Sequence, residues 1–152
     1  MNVRERVAEA VRESRFDDLA ALVSSEKSAL RHLVSLTYRP EPAVRAVAAR
    51  AVALASRHHP QLVQEVARRL VWSMNDESGT YAVTAPEVLH AIAEESPELL
   101  LPLVPSLLGL TADPALREAL VEVVRTVARH DPKAAVNGMA RAITSCERKG
   151  RS

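Results

Sequence analysis

The chain has 152 residues, 47% of them apolar, and only four are aromatic, so a single domain must build its core from Ala, Val and Leu, as closely packed helices do. Four Gly leave little room for β turns or phosphate loops, and the lone Cys146 has no partner for an internal disulfide. The net charge of +1 hides a basic, acidic, basic order: +3 over 1–76, −7 over 77–122 and +5 over 123–152.

In chain order, apolar spacing of three and four residues predicts helices over 3–13, 17–24, 26–37, 42–57, 61–74, 85–95, 98–110, 114–129 and 133–146, about nine in all. Glu147 to Ser152 form a polar tail that is expected to fray. The start, Met1-Asn2-Val3-Arg4-Glu5-Arg6, lacks the apolar core of a signal peptide, and with the single cysteine this implies the cytoplasm. Leu99 to Leu110 is the longest strongly apolar run, but it is about half the length that spans a bilayer and contains Pro102 and Pro105. A kinked, buried helix is expected there, with a groove for a partner helix as the competing reading.

The sequence repeats. Shifted by 72 positions, Glu41-Pro42-Ala43-Val44-Arg45 lies on Asp113-Pro114-Ala115-Leu116-Arg117, and Arg57-His58-His59-Pro60 lies on Arg129-His130-Asp131-Pro132. Pro97 falls between Pro60 and Pro132, so the unit is about 36 residues and the offset is two units. In each unit an acidic residue and Pro open the first helix, Arg-His closes it against the negative end of the dipole, and the next Pro opens the second. Units fall at about 41–76, 77–112 and 113–146, preceded by capping helices over 1–38, within one domain of 1–146.

The Asp/Glu-Pro-x-(Val/Leu)-Arg opening, the long Ala-rich helix and the second Pro-started helix resemble HEAT-like repeats of the phycobilisome-lyase type, over about residues 26–146. The resemblance implies an all-α, right-handed superhelical solenoid of helix pairs, with Asp113, Arg45 and Arg117 serving packing between repeats. It also implies a range of roles, since such repeats are used by scaffolds, adaptors, bilin-lyase subunits and transport factors.

The repeat breaks once. Where acid, Pro and Arg should recur near position 78, the chain reads Asn75-Asp76-Glu77-Ser78-Gly79-Thr80-Tyr81-Ala82-Val83, a loop pattern, before helix resumes at Thr84 with Glu87 placed for a capping box. The Asn75 to Gly79 string is similar to one in a group of bacterial HEAT-like proteins. Trp72, Asn75, Asp76, Glu77, Ser78, Thr80, Tyr81 and Glu87 form the candidate partner-binding patch, with Trp72 and Tyr81 as anchors in a polar surround. The competing reading makes the segment an ordinary insertion, in which Trp72 fills the space of the missing helical turn and Asp76 caps a local turn. Trp72 is expected to be buried, so that Trp72→Ala leaves a cavity costing about 3–5 kcal/mol; an unchanged melting temperature would mark it as exposed and favour the binding role.

Other constellations point away from chemistry. His58, His59, His90 and His130 lack metal-ligand spacing, and helix C-terminal roles suit them better. Cys146, near Arg141, Arg148 and Lys149, has no fixed base. Glu87, Glu94, Glu95 and Glu98 read as a solvated acidic edge rather than a catalytic carboxylate pair. No cofactor or metal is called for. The leading expectation is a scaffold or adaptor for another protein. A bilin-lyase-like enzyme subunit holding a tetrapyrrole near Tyr81, Asp76 or His90 is the first alternative. A nucleic-acid-binding HEAT-like protein is the second, and the −7 middle opposes it.

Overall fold

A computed structural model describes residues 1–75 and 84–130, and every structured element among them is helical. They are α1 (Val3–Arg12), α2 (Phe16–Ser25), α3 (Ala29–Leu36), α4 (Pro42–Ala55), α5 (Pro60–Asn75), α6 (Ala85–Glu95), two 3₁₀ turns (Pro97–Leu99 and Leu101–Leu103), α7 (Val104–Leu110) and α8 (Pro114–His130). The helix expected over 133–146 and the tail beyond it lie outside the described residues. Among the described residues no helix is long and apolar enough to cross a membrane.

Local chemistry sets the helix ends. Asn2 caps α1 by accepting from the Glu5 amide at 2.9 Å. At the other end Ser14 adopts φ 54, and the amides of Arg15 and Ser14 donate to the carbonyls of Ala10 and Val11 at 2.8 and 3.1 Å. This is a Schellman ending with serine where glycine is the unstrained choice. Ser14→Gly is therefore expected to stabilise the protein by about 1 kcal/mol, read as a raised thermal midpoint; a lowered midpoint would refute the strain.

Pro42 and Pro114 stand in the first turns of α4 and α8, where the missing N–H is no loss. The segment 98–110 departs from its expected single helix. Pro102 and Pro105 remove amide donors, so the chain makes short 3₁₀ turns and α-helix begins only at Val104. The leucines there are not surface to spare, because Leu99, Leu100 and Leu107 are buried and Leu101, Leu103, Leu108 and Leu110 pack against the core.

The core follows the alanines. In α4, Ala48, Ala49, Ala51, Val52, Ala53 and Ala55 are all buried, so small side chains let neighbouring helices approach from several sides. α6 packs between α4 and α8, α3 packs on α4, and α7 packs on α8. The α4–α6 seam also holds a buried polar pair. The Ser56 hydroxyl donates to the Ala53 carbonyl at 2.5 Å, which leaves Ser96 to donate to Ser56 at 2.5 Å.

Two features recur along the chain. Arg45 donates to the carbonyls of Arg39 and Pro40 at 3.0 and 2.8 Å, and Arg117 donates to those of Thr111 and Ala112 at 2.8 and 3.5 Å. Each clamps the turn five and six residues before it, at positions 72 apart. In addition, six side-chain hydrogen bonds between described residues join positions 35 to 42 apart, among them Gln64 to the Leu99 carbonyl. Arg45 also reaches the Glu87 carboxylate at 3.1 Å, whereas Arg117 is exposed and has no acidic partner among the described residues. Arg45→Ala is thus expected to cost about 2 kcal/mol and Arg117→Ala clearly less; equal losses in denaturant titrations would rule out a contribution from Glu87. At the exposed opener Glu41, a backbone hydrogen bond and then the Arg39 side chain hold the carboxyl below its ordinary pKa.

Candidate protein-binding surface

α5 sorts its residues by register. Val63, Ala67, Leu70, Val71 and Met74 face the core, and on the opposite side Leu62, Glu65, Arg69 and Trp72 follow at intervals of three, four and three residues. Trp72 is consequently 75% exposed and Leu62 54%. The expectation that Trp72 fills the gap left by a lost helical turn is corrected here: α5 runs regularly to Asn75, and its register turns the indole outward. An exposed tryptophan on a regular helix is a place where a large rigid surface is held ready for contact.

Of the other expected patch residues, Asn75 ends α5, is exposed, and donates to the Val71 carbonyl at 3.3 Å. Asp76, Glu77, Ser78, Thr80 and Tyr81 lie outside the described residues. Glu87 does not serve a capping box. Its carboxylate is taken by Arg45, because a guanidinium across the α4–α6 seam is a stronger partner than a backbone amide, and Glu87 belongs to packing between these helices.

A groove of about 430 Å³ lies between α3 and α5, with Leu30, Val34, Val66 and Leu70 in its floor. Sequence reading missed it because its two banks are separated by α4. The available signal was the spacing Lys27, Arg31, Val34, Tyr38 on one bank and Leu62, Val66, Arg69 on the other, each a single helical stripe.

The hydroxyl–imidazole pairs have the parts of a hydrolytic site without its logic. His90 meets Thr126 Oγ1 through Nε2 and Glu94 through Nδ1, both at 3.4 Å. Thr126 is buried, and its own proton is directed to the Glu122 carbonyl at 2.9 Å, away from the imidazole that would have to remove it. His59 Nε2 meets the exposed Ser24 hydroxyl at 3.3 Å, which ties α2 to the turn after α4. Among the described residues no three His, Cys, Asp or Glu side chains gather in a way that could hold a metal ion. The acidic edge is only partly solvated: Glu98 is exposed, but Glu95 is largely covered and paired with Arg57 and, at 4.0 Å, Arg50. No family model matches this chain, and neither a curated protein nor a solved structure is detectably similar to it.

Proposed function

We propose that this chain is a scaffold of HEAT-like helix pairs that binds another protein at the outer end of α5, through Trp72, Asn75 and the segment carrying Asp76, Glu77, Ser78, Thr80 and Tyr81. The observation that carries the reading is the 75% exposure of Trp72, the chain's single tryptophan. Water contact with that much indole is a standing cost that a partner would remove, and tryptophan is among the residues most enriched at binding hot spots. The repeated arginine clamps and the bonds at 35- to 42-residue spacing support stacking of successive helix pairs. Arranged so, the α-α superhelix would offer a ridged face for contact, and no reacting group is needed.

Trp72→Ala separates folding from binding. The variant is expected to keep its stability to within about 0.5 kcal/mol, since little packing is lost at an exposed site. Its affinity for the partner is expected to fall by about 2 kcal/mol or more, as at other hot spots. Affinity purification from native lysate, with wild type, Trp72→Ala and Glu77→Ala/Tyr81→Ala compared and the absorption spectrum of each eluate recorded, tests this. A partner retained by wild type and lost from the variants supports the scaffold. A variant that retains every partner sinks it, and bound colour would favour a tetrapyrrole-binding subunit instead.

A further inference from the structure

We propose that the groove between α3 and α5 receives one face of an acidic amphipathic helix from a protein partner. This rests on the reading of α5 as a binding face, and gives that partner a chemistry.

The floor of Leu30, Val34, Val66 and Leu70 is apolar, while Leu62, more than half exposed, stands open at the edge. The banks are cationic: Lys27 and Arg31 on α3 and the turn before it, and Arg69 on α5. Among the described residues Glu65 is the one acid lining the groove, and it is engaged by Arg69 at 3.4 Å and Arg68 at 3.9 Å. Lys27 and Arg31, by contrast, have no acidic partner among the described residues, so the bank on α3 carries positive charge that nothing there answers. A ligand that buries an apolar stripe on this floor sets its flanks against those cations, and carboxylates are the flanks that gain from it.

Dimensions agree with a helix. The α3 bank runs from Lys27 to Tyr38, three turns, and a volume of about 430 Å³ admits a few anchor side chains at i, i+3 or i+4, and i+7. The chain's own 131–152 segment is an unsuitable occupant, because its five basic and two acidic residues repeat the sign of the bank. Nucleic acid shares the required charge, but the floor itself is aliphatic, and Tyr38 is the one aromatic ring that lines the groove among the described residues, where a bound strand would need successive rings to stack on.

The test is a display selection of a randomised library of 15-residue helix-forming peptides against the full chain. One enriched peptide is then titrated by fluorescence anisotropy. Enriched sequences are expected to carry apolar anchors at helical spacing flanked by Asp and Glu. The Lys27→Glu/Arg31→Glu variant should weaken the titrated peptide at least tenfold, as should Leu62→Glu, and both changes lie on exposed side chains that the fold does not need. Added salt should weaken it too. No enrichment, enrichment of basic or neutral flanks, or binding indifferent to these variants would overturn the proposal. So would displacement by an equal concentration of a single-stranded oligonucleotide, or a Leu62→Glu change that dissolves a self-association of the chain. A lysate partner lost with Trp72→Ala but kept by both groove variants would leave the scaffold standing and the groove refuted; retention of every lysate partner by Trp72→Ala, with the peptide still weakened by both groove variants, would do the reverse.

Discussion

Leu89→Ala is expected to destabilise the protein by about 2–5 kcal/mol, a large share of what a domain of this size has. Leu89 is fully buried on α6, the helix that packs between α4 and α8, so its removal opens a cavity inside the core. The surrounding backbone is helical and short of slack, and cannot collapse into the space without moving a whole helix. Urea titration followed by circular dichroism checks it: the midpoint should fall while the slope stays unchanged. A loss below about 1 kcal/mol would mean that α6 is less central than its burial implies.

The opposite change one layer away should also be costly. Ala53→Leu, at a fully buried position of α4, is expected to cost about 1–3 kcal/mol because the added carbons meet close-packed helices. Ala53 also presents its carbonyl to the Ser56 hydroxyl, so a shift of α4 would disturb the Ser56–Ser96 pair. Thermal unfolding of the single variants and of Leu89→Ala/Ala53→Leu would show whether the enlarged residue refills the cavity. A neutral Ala53→Leu would show that the alanines of α4 are there for helix propensity and not for close approach.

Local rules carried the sequence reading a long way. The proline openers and the three-and-four spacing placed α4, α6 and α8 to within two residues, with α6 over the same span as expected. Failures came where a partner distant in sequence decides. Glu87 looked like a capping residue because Thr84 is three positions before it, yet Arg45, 42 residues earlier, claims the carboxylate. Glu95 looked solvated, yet Arg57 and Arg50 cover it. Trp72 failed differently. The helical wheel of α5 already sets it opposite Val63, Leu70 and Met74, so its exposure follows from the register of that helix alone. The leucine-rich stretch misled because apolar spacing alone suggests one helix, while two proline rings dictate where α-helical bonds can start. The α3–α5 groove is a property of two helices with α4 between them in the chain, which periodicity within either helix cannot reveal.

The bonds that join positions 35 to 42 apart bear on how the chain finds its structure. Each such contact closes a loop of 35 to 42 residues, and the entropy of closing it grows only slowly with length, about 0.6 kcal/mol per doubling. Contacts of low sequence separation place a helical protein toward the fast end of folding rates, since no distant strand must be recruited before packing is rewarded. The α4 and α6 pair, with the Arg45 clamp closing the turn ahead of α4, gathers several of these closures in one place.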